Sequence, residues 1–108
     1  MEKWTTINIK GIPTIEKCVA EFRIWEIGTI PSAKFKIKIY ENQKGHFNGF
    51  TNLGIKINNC PEFGVGSGKS IEEALENTIE YFMNEINEQK KLKELTDDDF
   101  EWAHPDDF

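Results

Sequence analysis

The chain has 108 residues, with 13 Lys/Arg against 19 Asp/Glu, a formal net charge of −6 and 38% hydrophobic content. That length suits one domain with its own core, and eight Phe with three Trp make it too apolar for wholesale disorder. No apolar run approaches the roughly 18 residues of a membrane span, and MEKWTTINIK at the start carries no secretory leader pattern, so a cytoplasmic protein with no membrane contact is expected.

Residues 4–10, WTTINIK, place Ile7 and Ile9 on one side and predict a first strand, ended by Gly11 and Pro13. Residues 19–27 are rich in β-branched and aromatic side chains and predict a second strand stopped by Gly28. A short helix over 15–19 is the alternative there, since Ile15, Cys18, Val19 and Phe22 also recur at helical steps. After a loop over 28–34, Phe35, Ile37 and Ile39 alternate with Lys34, Lys36 and Lys38, the pattern of a half-buried strand with a lysine face in water. Residues 41–49 are turn-rich, and 50–57 alternate again through Leu53, Ile55 and Ile57. Asn58-Asn59 and Pro61 make the next turn, and Phe63 and Val65 lead into Gly64, Gly66 and Gly68.

From Ile71 the apolar positions Ala74, Leu75, Thr78, Ile79, Phe82, Met83 and Ile86 recur at steps of three and four, predicting a helix with one buried stripe. Ser70 is its expected N-cap, with Glu73 closing a capping box. Glu72 and Glu73 in the first turn, with Lys90, Lys91 and Lys93 towards the end, agree with the helix dipole. The expected fold is α+β: an antiparallel sheet of three to five strands with one long C-terminal helix on one face, in two layers. Residues 1–94 form that domain, and 95–108, LTDDDFEWAHPDDF, form an acidic and aromatic tail that is loosely held or docks through its rings.

Gly68-Lys69-Ser70 before a helix imitates the end of a phosphate-binding loop, but the position five residues before Gly68 is Phe63 where that motif needs glycine. Cys18 and Cys60 have no CxxC partner or nearby His, so two reduced, largely buried thiols are expected and no metal. His46 and His104 lie in polar loops as surface side chains, and no nucleophile-base pair or apolar-pocket carboxylate stands out. Neither an enzyme nor a cofactor is expected, and the oligomeric state is open.

Over residues 21–86 the order of strands, loop and GxGxGKS-helix resembles a double-stranded-RNA-binding domain. Gly28, Phe35, Gly64, Gly66, Gly68, Ser70 and Ala74 fall at that family's positions, and the resemblance implies a β-β-β-α core. Where the family presents lysines to RNA phosphates at the helix start, this chain has Ile71, Glu72 and Leu75, and Pro31 stands at the family's loop histidine. The insertion over 41–61 is longer than usual and the family's N-terminal helix is not evident. Since phosphate neutralisation needs those cations, duplex RNA binding by that surface is not expected. The run Gly68-Lys69-Ser70-Ile71-Glu72-Glu73-Ala74 is also similar to the helix start of HicB-type antitoxin domains.

Charge is divided along the chain: residues 1–69 hold ten Lys/Arg and six Asp/Glu, residues 70–108 three and thirteen. Glu72, Glu76, Glu80 and Glu88 recur at multiples of four, about 6 Å of rise per step, and predict an anionic ridge extended by Asp97, Asp98 and Asp99. With Phe100, Trp102 and Phe108 they form the expected partner-binding set, aimed at a basic site on another protein, as a nucleic-acid mimic or antitoxin-like, mobile-element-encoded inhibitor would be. The rival expectation is a nucleic-acid surface made by Lys34, Lys36, Lys38 and Lys56 on the sheet.

Overall fold

Four consecutive strands, β1 (Glu16–Trp25), β2 (Lys34–Asn42), β3 (Phe47–Ile57) and β4 (Cys60–Gly68), run as an antiparallel meander in the order β1-β2-β3-β4. One helix, α1 (Ile71–Lys90), then crosses the sheet, and β5 (Phe100–Trp102) returns to pair with β3. This two-layer α+β arrangement comes from a computed structural model describing residues 3–108. The first two residues of the domain expected over 1–94 lie outside the described residues.

Cross-strand partners share a face, so the register fixes the core. Ala20, Ile39, Gly49 and Gly66 form one row, and Phe22, Ile37 and Thr51 form the next. Onto this face α1 lays Ala74, Thr78, Phe82 and Ile86, all fully buried. Phe82 meets Phe35 edge to face, with centroids 5.1 Å apart and planes at 68°, a geometry that suits the aromatic quadrupole.

The glycines that imitate a phosphate loop serve this contact. A Cβ on Gly66 would clash with the backbone nitrogen of Thr78, and one on Gly49 would clash with Thr78 Oγ1. Helix and sheet backbones therefore approach more closely than any side chain on Gly66 would permit. Thr78, buried at that contact, donates its hydroxyl hydrogen to the Ala74 carbonyl at 2.6 Å, which satisfies it within its own helix.

Side chains also close the irregular points. Ser70 Oγ accepts from the Glu73 amide at 3.0 Å as expected, but the Glu73 carboxylate reaches one residue further back, to the Lys69 amide at 3.0 Å. Between Phe50 and Gly54 the β3/β4 register shifts. There Thr51 Oγ1 accepts from the Gly64 amide and donates to the Leu53 carbonyl, each at 2.7 Å. The β3–β4 hairpin turns on Asn58 and Asn59 at φ 53° and 65°, left-handed values that Asn tolerates and that match the twist of paired strands.

Two expectations are corrected and one alternative is decided. Residues 4–10 form no strand: a 3-10 turn covers Lys3–Thr6, and the Gln43 side chain ties this segment down by donating to the Trp4 and Ile7 carbonyls and accepting from the Ile15 amide. Ile7 and Ile9 remain 44% and 58% exposed, so the alternation had no neighbouring strand to pair with. Between strand and short helix for the next segment the strand holds, since β1 runs Glu16–Trp25 and leaves no helix over 15–19. Both cysteines are exposed free thiols rather than buried ones, Cys60 because it leaves the hairpin turn and Cys18 because its partner Tyr40 lies on the face away from α1.

Of the two readings of the segment after residue 94, docking through its rings describes Phe100. Phe100 pairs with Ile55 and is only 6% exposed, within the core. Asp99 prepares its entry: its carboxylate accepts from Lys93 Nζ and from the Thr96 amide, each at 2.8 Å. The hydrogen bond from Lys93 first, then that from Thr96, holds the Asp99 carboxyl below its usual range. A group depressed on folding stabilises the fold above its unfolded pKa and loses that contribution as pH falls through its folded value. Asp99→Asn is therefore expected to lower stability at neutral pH, with the gap from the parent closing in acid, as measured by urea unfolding across a pH series.

Candidate functional site

Two opposed surfaces carry the charge. On α1, Glu72, Glu73, Glu76, Glu80 and Glu88 are exposed. None of Glu72, Glu76 and Glu80 forms an ion pair with a described residue, whereas Glu88 meets Lys91 Nζ at 3.1 Å. At about 100° per residue, each step of four turns about 40° around the axis, so Glu72 and Glu88 stand about 160° apart. The expected ridge is thus a wide, mainly anionic face rather than a line, interrupted by Asn77, Tyr81, Asn84 and Asn87 and closed at its C-terminal end by Lys90. It covers the whole side of the helix turned from the core.

The other surface is the back of the sheet. Out of phase with the core rows, Glu21, Lys38, Phe50 and Val65 form one row, Arg23 faces Lys36, Trp25 faces Lys34, and Lys56 faces Pro61. All four lysines of the rival expectation are therefore brought to one face. Each of the first three is already engaged: Lys34 Nζ lies 5.2 Å from the Trp25 ring, Lys36 Nζ lies 3.7 Å from Glu21, and Lys38 Nζ donates to the Phe108 main-chain oxygen at 2.7 Å. Exposed pairs of this kind contribute at most about 1 kcal/mol each, so they do not lock the face.

The last residues cross this face. Beyond β5 the Ala103 amide donates to the Asn52 carbonyl at 2.7 Å, and a short turn over Pro105–Asp107 follows, with His104 Nδ1 accepting from the Asp106 amide at 3.2 Å. The Phe108 ring then settles 4.6 Å from Lys38 Nζ. Between this strap and the sheet lies a cleft of about 640 Å³ walled by Phe50, Phe63, Trp102, His104 and Phe108. A smaller one of about 280 Å³ lies beside Tyr40, Phe50 and Phe108. Tyr40 and Phe50 stack edge to face at 5.9 Å, and burial, then Cys18, Glu16 and Glu21, push the Tyr40 hydroxyl pKa up.

The expected partner-binding set is thus divided. Glu72, Glu76, Glu80 and Glu88 share the helix face; Asp97 and Asp98 are exposed on the turn before β5, and Asp99 is turned inward to Lys93 and Thr96. Trp102 and Phe108 belong to the opposite, sheet side, around the strap and its cleft. Phe100 is corrected: a ring 6% exposed within the core cluster has no surface to offer a partner. Arg23, Trp25, Tyr40, Phe50 and Phe63 were missed: Tyr40 shares the alternation of the lysines on β2, but the other four join them only through the strand register. Among the described residues no three His, Cys, Asp or Glu side chains are grouped to hold a metal ion. No helix among them is long and apolar enough to cross a membrane.

No protein-family model, curated protein or solved structure matches the chain. The class defined is that of the fold itself, a two-layer α+β domain with an anionic helix side and a lysine-aromatic sheet side.

Proposed function

We propose that this protein is a small non-enzymatic binding module whose anionic helix face masks a basic site on a partner protein, in the manner of an antitoxin-like or mobile-element-encoded inhibitor that imitates a nucleic-acid backbone. The observation that supports this is the exposure of Glu72, Glu76 and Glu80 without an ion-pair partner among the described residues, on the layer facing away from the sheet lysines. A helix is a stiff carrier, so these carboxylates meet a basic groove without ordering a loop, and like charges concentrated on one side steer encounter with a cation-rich surface.

Capture of a partner by the immobilised protein is expected at low salt, reversed by high salt or heparin, and lost in Glu72→Lys/Glu76→Lys/Glu80→Lys. These three side chains point to solvent, so the variant keeps its fold, as circular dichroism would verify. Equal capture by parent and variant would overturn this assignment of the helix face.

A further inference from the structure

We propose that the back of the sheet is a second binding surface, for single-stranded nucleic acid, and that the residues after β5 occupy it in cis as a competitor. This goes beyond the function proposed for α1, since it concerns the opposite side of the molecule and a different partner. The register gathers Arg23, Lys34, Lys36, Lys38 and Lys56 on that face against Glu16, Glu21 and Glu101, and sets Trp25, Tyr40 and Phe50 among them. A cationic track interleaved with rings is the composition that binds unpaired strands, phosphates to the cations and bases to the rings. Trp25 is 60% exposed and Phe50 39%, so both rings present surface for stacking beside the Lys34 and Tyr40 contacts they already make.

The way the strap sits shows what chemistry the seat accepts. Lys38 takes a planar ring at 4.6 Å and an oxygen at 2.7 Å from the same residue, Phe108, and Asp107 brings a carboxylate to the edge of both neighbouring clefts. Ring and anion together are also the two parts of a nucleotide. The strap bridges the cleft of about 640 Å³ rather than filling it, and that volume falls within the range of small-molecule sites, about 300–1,000 Å³. Beyond β5 it is fastened by the Ala103–Asn52 backbone bond and by Lys38, so it can lift without disturbing the strand pairing.

A duplex does not fit this surface, because its bases are stacked on each other and cannot reach the rings. The negative helix side does not forbid the interaction. The molecule is 20 Å across its shortest dimension, more than two screening lengths of about 8 Å at physiological salt.

The test is fluorescence anisotropy of labelled oligothymidylate and oligouridylate, single-stranded and paired with their complements, against the full chain and Asp106→Asn/Asp107→Asn/Phe108→Ala. The variant is expected to bind single strands about tenfold more tightly than the parent, as for a seat closed about nine-tenths of the time, with affinity falling as salt rises. Adding Lys36→Glu and Lys38→Glu to the variant is expected to abolish the shift, and Lys38→Gln alone to weaken it. Absence of any shift for the strap variant at low salt, binding indifferent to both lysines, or equal affinity for paired strands would each overturn the proposal. No substituted residue lies on α1, so such a failure leaves the helix-face function standing.

Discussion

Gly66→Ala is expected to cost about 3 kcal/mol of unfolding free energy, the upper end of the usual cost of overpacking a filled core. The added methyl would clash with Thr78 N and lie 2.7 Å from Asn77 C and 2.7 Å from Thr78 Oγ1. Two of these three atoms are backbone of α1, so no rotamer change relieves the clash and the helix must lift from β4. Gly54→Ala is the control. Its methyl would meet the Phe63 ring at 3.1 Å and a carbonyl at 3.2 Å, contacts that small shifts relieve. The unfolded chain meanwhile loses freedom, so a change within about 1 kcal/mol of zero is expected. Urea unfolding of the two variants checks the pair, and equal midpoints would mean that the helix does not sit on Gly66.

The second large effect is expected at Phe82. Its ring is fully buried beneath α1 and packs on Phe35, and truncation of such a ring to Ala typically costs about 3–5 kcal/mol through lost transfer energy and the cavity left behind. Against the roughly 5–15 kcal/mol that holds a domain together, this removes from about a fifth to all of the stability. Phe82→Leu, which retains most of the volume, is expected to lose less. The urea midpoint should fall in the order parent, Leu, Ala with similar slopes, since a changed slope would report a changed denatured or native state rather than a lost contact.

The parts of the fold legible from sequence were those set by short-range rules. The helix showed in its three-and-four spacing and in Ser70, and the sheet in the alternation of Phe35, Ile37 and Ile39 with lysine. What stayed hidden depended on neighbours. Ile7 and Ile9 alternate as well as any strand, yet Gln43 holds their segment without a ladder to join. Phe100 sits among aspartates and reads as tail, but its place opposite Ile55 follows from β2 and β3 diverging and leaving part of the β3 edge unpaired, which no local pattern records. The glycines before Ser70 drew attention to phosphate chemistry, whereas their role is steric, evident only once Thr78 is placed above Gly66.

The candidate surfaces divide in the same way. Glutamates on one helix could be read off the chain because a helix obeys a fixed rotation. The lysine-aromatic face needed the hairpin register, since Arg23 and Lys36 become neighbours only through the β1–β2 pairing. The strap needed the tertiary fold, because Lys38 and Phe108 lie 70 residues apart in sequence.

The placement of β5 has a consequence for association with other chains. The meander and α1 are complete by Lys90, and one flank of β3 at Leu53–Ile55 is covered only by residues 100–102. A strand this short can open locally without unfolding the sheet, and each opening exposes an unpaired backbone edge that another chain can join.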